Sequence, residues 1–182
     1  MKIKLTNVRL AFPQLFEAQT VNGEGKPAFS ASFLIDPKDP QIKSINAALE
    51  QVAKDKWGAK ADAMLKTMRA TDKVALHDGD LKAQYAGFEG MMYISSRNPV
   101  RPLVVDQKRT PLTEADGKPY AGCYVDVSIE LWAQDNNYGK RINATLGGVQ
   151  FRADGDAFVG GGAASEDDFE DISEGANADS LV

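Results

Sequence analysis

The sequence predicts a mainly β protein: an OB-fold-like antiparallel β-barrel with a short helical insertion and a disordered acidic C-terminal tail. Three observations predict it. Several segments alternate apolar and polar residues at period two, one stretch between them repeats near the helical period, and from Ala153 to Val182 there is no Lys or Arg at all. The resulting division is an OB-fold-like domain over residues 1–152, with helices over about 40–70, and a flexible linker and tail over 153–182.

The first segment carries Ile3 and Leu5 on one parity and Val8, Leu10 and Phe12 on the other, which predicts a strand with a bulge near Thr6-Asn7, closed by Pro13. The turn-rich run Asn22-Gly23-Glu24-Gly25-Lys26-Pro27 then leads to Phe29, Ala31, Phe33 and Ile35 at period two, completing a β-hairpin. After Pro37 and Pro40, the residues Ile42, Ile45, Leu49, Val52 and Ala53 recur at helical spacing up to Gly58. A second short helix follows over about 59–70, with Ala61, Leu65 and Met68 near one side.

Beyond the Asp78-Gly79-Asp80 loop, β character returns over 88–96 and again at Leu103-Val104-Val105. The clearest strand covers 123–133, where Cys123, Val125, Val127, Ile129 and Leu131 alternate with Tyr124, Asp126, Ser128, Glu130 and Trp132. Asp135-Asn136-Asn137-Tyr138-Gly139 supplies a turn before a last strand over 141–151, and Gly147-Gly148 marks a bulge or bend within it. Gly160-Gly161-Gly162-Ala163-Ala164-Ser165 has the composition of a joint, and the acid-rich segment after it has too little apolar content to fold alone.

Composition narrows the function. At 182 residues and 43% hydrophobic content the chain has enough material for one core. No apolar run approaches the ~20 residues that span a bilayer, so no membrane association is expected. A single cysteine fits a reducing compartment, and cytoplasm is the expected location. On the apolar parity of its strand, Cys123 reads as an inert buried thiol. His77 is the sole histidine, which leaves no histidine triad or paired-histidine metal site, and no GxxxxGK[ST] phosphate loop occurs. Asp78 with Asp80, and Asp154 with Asp156, offer carboxylate pairs that suit hard cations but read as turn chemistry. No enzymatic activity, cofactor or metal is expected.

The formal charge of -5 hides an uneven distribution. Nine of the 26 acidic residues lie in 153–182, so residues 1–152 hold 21 basic and 17 acidic side chains, a net of +4. A basic body of this kind suits a polyanion. A groove for single strands also needs flat side chains to stack on exposed bases, and Trp132 and Tyr124 lie on the non-core parity, with Tyr93 and Tyr138 as further candidates. Either bases stack on them, or another element covers that face. The candidate phosphate contacts are Arg97, Arg101, Lys108, Arg109, Lys140 and Arg141. The tail segment Asp167-Asp168-Phe169-Glu170-Asp171 reads either as part of a solubilising terminus or as a backbone mimic that occupies the groove until DNA displaces it; its embedded ring also suits recruitment of other replication proteins.

At Asn98-Pro99-Val100-Arg101-Pro102, Val104-Val105-Asp106, Thr110-Pro111-Leu112, Gly122-Cys123-Tyr124-Val125, Trp132-Ala133, Asp135-Asn136 and Gly147-Gly148-Val149-Gln150-Phe151, the chain resembles a family of tailed-phage single-stranded-DNA-binding proteins. Asp156-Ala157-Phe158, Gly160-Gly161 and Asp167-Asp168-Phe169 continue the resemblance into the tail. It implies an OB-fold core with an acidic tail, and protection of exposed strands in phage DNA replication, recombination or repair inside a host cell. The expected function is therefore sequence-tolerant binding of single-stranded DNA, with double-stranded DNA as an alternative ligand and phage or host replication proteins as partners of the tail. The alternative from another class is a non-enzymatic protein-binding adaptor or virion-associated protein.

Overall fold

The computed structural model describes residues 1–21, 23–158 and 169–173. Seven strands, β1 (Lys2–Val21), β2 (Glu24–Ile35), β3 (Leu76–Asp78), β4 (Met92–Asn98), β5 (Leu103–Val105), β6 (Tyr124–Asn136) and β7 (Gly139–Ala153), form one sheet in the order β3-β4-β2-β1-β6-β7-β5. A parallel bridge between Arg97 of β4 and Thr145 of β7 closes β4, β2, β1, β6 and β7 into a barrel. The barrel is thus OB-like, as the alternation predicts, but mixed and not wholly antiparallel, since β5 also joins β7 in parallel. Closure depends on one bridging pair far apart in sequence, which no local pattern encodes.

β1 serves both neighbours by bending. Its first half pairs with β6, from Lys2↔Glu130 to Arg9↔Tyr124, and its second half with β2, from Arg9↔Leu34 to Val21↔Glu24. The expected bulge lies between Leu5 and Val8, where Asn7 has φ 53°. Pro13 does not close the strand. The β1–β2 register breaks between Ala11 and Gln14, so Phe12 and Pro13 fall outside the register pairs, and a residue without an N–H loses no ladder bond there. Gly147 forms the second expected bulge, because Ser128 pairs with Gly148 and Ile129 with Leu146.

The inward parity of the strands fills the barrel with Leu5, Leu10, Phe33, Ile35, Ile94, Val127, Ile129, Leu131, Ile142 and Leu146, all nearly inaccessible. The helical insertion consists of α1 (Gln41–Trp57) and α2 (Ala61–Ala70), with Gly58 ending α1 at φ 56°. Ile45, Leu49, Val52, Leu65 and Met68 continue the same core, and the Trp57 Nε1–H donates to Asp135 Oδ2 at 3.0 Å, tying the insertion to the β6–β7 hairpin.

Three local readings change. β3 is a three-residue edge strand, too short to show a period. The strand expected from residue 88 starts at Met92; Phe88 instead lies buried in the preceding turn. There, Ala11, Leu34, Phe88 and Tyr93 make a small second core outside the barrel, with Met91 and Phe158 packed on it. The chain after β7 also stays on the body as far as Phe158, whose N–H donates to the Ala121 carbonyl at 2.9 Å. Asp78 Oδ1 accepts from the Asp80 N–H and Asp80 Oδ1 from the Gly90 N–H, so these carboxylates are engaged in turns.

Candidate nucleic-acid interface

Because the inward parity of each strand is committed to the core, the outward parity of β2, β4, β7 and β6 is left to form a surface of small polar residues: Ser30 and Ser32, Ser95, Asn143 and Thr145. Across them runs an open groove of about 870 Å³. Lys26, Lys73, Lys82, Arg97 and Arg141 line it, and among the described residues no carboxylate does. Several like charges around one groove raise its positive potential and concentrate an anion there.

Trp132 stands at the β6 end, 43% exposed. Its Nε1–H donates to Thr145 Oγ1 at 3.0 Å, which satisfies the indole's only donor and fixes the ring by one edge. Arg97 donates through Nη2 to the Lys26 carbonyl at 3.0 Å, so the β2 hairpin holds the guanidinium at the groove. At the opposite side His77 stacks on Tyr93, centroids 4.9 Å apart, and its Nδ1 meets Asp72 Oδ1 at 2.5 Å.

Of the residues the sequence singles out, the structure brings Trp132, Arg97 and Arg141 into this groove. Tyr93 lies one layer beneath it, 3% exposed, with Lys82 Nζ 5.2 Å from its ring centroid. Burial, and then the charges of Asp72 and Asp78, raise its hydroxyl pKa above the ordinary value. Tyr124 sits far along β6, half-buried beneath the chain at Gly155 and 5.8 Å from the Arg9 guanidinium. Tyr138 and Lys140 occupy the exposed tip of the β6–β7 hairpin, outside the lining. Arg101 is turned to the Phe16 carbonyl at 2.7 Å, and Lys108 and Arg109 belong to the loop after β5; none of the three lines the groove. Cys123 is fully buried, and that burial pushes its thiol up to about 11, so the thiolate is strongly disfavoured. In the tail, Phe169, Glu170 and Asp171 are exposed, while Asp167 and Asp168 lie outside the described residues.

Sequence reasoning missed Phe12, Lys26, Lys73, His77 and Lys82, all of which line the groove. They come from different segments and meet only through the fold. The one local signal was Phe12 beside Pro13, a ring on a strand at a residue type that interrupts ladders.

Residues 1–181 match the protein family described as Enterobacter phage Enc34, ssDNA-binding protein. The chain belongs to this family. A putative protein p50 from Acyrthosiphon pisum secondary endosymbiont phage 1 is 48% identical over 177 residues, covering 95% of both chains. The single-stranded DNA-binding protein of bacteriophage Enc34, solved in complex with ssDNA, is 31% identical and superposes with a TM-score of 0.74 over 86% of this chain and 89% of that one. The gp2.5 single-stranded DNA-binding protein of bacteriophage T7 shares the fold, with a TM-score of 0.57 at 13% identity over 90% of this chain and 98% of that one. Enc34-type proteins are non-enzymatic binders, and no helix among the described residues is long and apolar enough to cross a membrane.

Proposed function

We propose that this chain binds single-stranded DNA, with tolerance of sequence, along the groove across β2, β4, β7 and β6. The observation that carries the reading is the lining itself: Lys26, Lys73, Lys82, Arg97 and Arg141 around a carboxylate-free floor, with Trp132 held by one edge. Cations that follow phosphates and a ring that meets any base give affinity without a sequence code. The Enc34 protein in complex with ssDNA, similar over most of this chain, supports the same reading. The physiological setting is protection of exposed strands during phage replication, recombination or repair in the host cytoplasm.

The acidic tail acts on the same groove as a competing polyanion, and the exposed Phe169 with Glu170 and Asp171 offers a ring and charges to replication proteins. Tail deletion therefore tightens binding, most at low salt.

Intrinsic fluorescence tests the proposal. The chain holds two tryptophans, Trp57 in the helical insertion and Trp132 in the groove. Titration with oligo(dT) should quench emission in a saturable, salt-sensitive way. The Trp57→Phe variant should keep that quench, and Trp132→Phe should lose it. No binding of oligo(dT) at low salt, or a quench that follows Trp57, overturns the assignment.

A further inference from the structure

Phe12 carries two costs that packing does not explain. It is a bulky residue at φ 48°, a region that L side chains other than Asn and Asp rarely adopt, and the residue is 45% exposed. A glycine would hold that backbone without strain, and a polar side chain would suit that exposure better.

The surroundings hold the ring in place. Phe88, 1% exposed, lies under it with centroids 5.5 Å apart and planes inclined by 36°. Tyr85 meets it edge-on at 5.0 Å and 88°. The turn between β3 and β4 positions both partners, because the Tyr85 N–H donates to the Lys82 carbonyl and the Phe88 N–H to the Tyr85 carbonyl. Phe12 is thus a ring braced from below and from one side, and it lines the groove at the β1 end, with Lys82 also in the lining.

We propose that Phe12 is a second base-stacking subsite for single-stranded polynucleotide, at the end of the groove opposite Trp132. This rests on the groove being the DNA-binding site. Phe12 lies beyond the stretch of β1 that pairs with β6, which ends at Arg9↔Tyr124, so the groove reaches it from Trp132 across β7, β4 and β2, four inter-strand steps of ~4.8 Å, or roughly 19 Å along the sheet. One base cannot reach both, so the rings hold different nucleotides of one strand, which crosses the strands of the sheet between them. Lys26, Arg97 and Arg141 then face the intervening phosphates.

The test uses the full chain and oligo(dT) of about twelve nucleotides, within the range of single-strand site sizes for this kind of fold. Binding is read by anisotropy of a labelled oligonucleotide, and folding by thermal melting. Phe12→Ala should weaken binding roughly five-fold to a hundred-fold, as loss of one stacked base does. Phe12→Tyr should retain most of the affinity. Phe12→Gly relieves the backbone, so it should bind as weakly as Phe12→Ala while melting no lower than it. Combined with Trp132→Ala, the losses should multiply, since the sites share no partner. If wild type binds and Phe12→Ala binds equally well, the subsite is overturned while the groove reading stands, and the Phe12–Tyr85 patch is left as a protein-docking surface. If wild type itself fails to bind, both fall together.

Discussion

Arg152 of β7 grips Asp126 of β6 through two parallel hydrogen bonds, Nε to Oδ1 at 2.7 Å and Nη2 to Oδ2 at 2.9 Å. The same carboxylate oxygen Oδ1 accepts the Asn7 N–H at 2.9 Å, so one side chain ties the β1 bulge to the β6–β7 pair. Burial pushes the Asp126 carboxyl up, but the Arg152 fork and the Asn7 N–H outweigh it and hold the group below the usual carboxylate range.

Asp126→Asn should therefore destabilise the fold by about 1.5–3 kcal/mol at neutral pH, the range for hydrogen bonds to a charged group. A depressed folded-state pKa gives stability that is fully present above the unfolded value near ~3.9 and is lost as pH falls through the folded value. Wild type and variant should accordingly converge in acid. Urea melts at pH 7 and below pH ~4 check both; a gap that stays constant with pH would refute the charge-based account.

Salt dependence distinguishes the groove from the other basic residues. If all five lining cations neutralise phosphates, the slope of log affinity against log salt should be about -3.5 at most for a single strand. Arg97→Ala and Arg141→Ala should each flatten it by about 0.7, whereas Lys108→Ala, outside the groove, should leave it unchanged. A slope that responds to Lys108 and not to Arg97 would move the DNA path to the β5 side.

The elements legible in the sequence are those whose signal is local. Alternation from Cys123 to Leu131, the parity switch around Asn7 and the paired glycines at 147 and 148 fix strand, bulge and bend without reference to the rest of the chain. The parallel Arg97–Thr145 closure and the groove it creates are global, and Lys26, Lys73 and Lys82 look like ordinary solvated charges until β2, β3 and β4 are side by side. Tyr124 shows the limit of parity. It shares the outward face of β6 with Trp132, but eight residues of strand, about 27 Å, separate them, and Gly155 covers one while the groove leaves the other open.

Gly122 is the position on which that covering chain depends. It has φ 104°, and a Cβ there would collide with the Asp156 carbonyl oxygen. Gly122→Ala should cost more than ~1 kcal/mol and loosen residues 154–158, because strain and collision act at the same place. Hydrogen exchange at the Phe158 N–H, bonded to the Ala121 carbonyl, should accelerate well before amides in the barrel do. Unchanged protection would mean that the strap does not need this close approach.

The place of truncation should then decide whether tail removal is a clean experiment. Residues 154–158 are bound to the body: the Tyr120 hydroxyl donates to Asp154 Oδ1 at 2.8 Å, Arg9 Nη2 donates to the Asp156 carbonyl at 2.7 Å, and the Arg9 guanidinium lies 4.2 Å from the half-buried Phe158 ring over the small outer core. Ending the chain at residue 152 uncovers Leu34 and Phe88 and removes these bonds, a net loss of about 2–3 kcal/mol once the freed chain's entropy is counted. At roughly 2–4 °C per kcal/mol for a domain of this size, melting should fall by about 5–10 °C. Ending it at residue 158 keeps the strap while removing most of the acids, so melting should match the full chain and oligo(dT) binding at low salt should tighten. Calorimetry and low-salt titration of the two truncations side by side check this. Equal melting of both would show that the strap adds no stability, and equal affinity of the 158-residue form and the full chain would exclude the tail as a competitor for the groove.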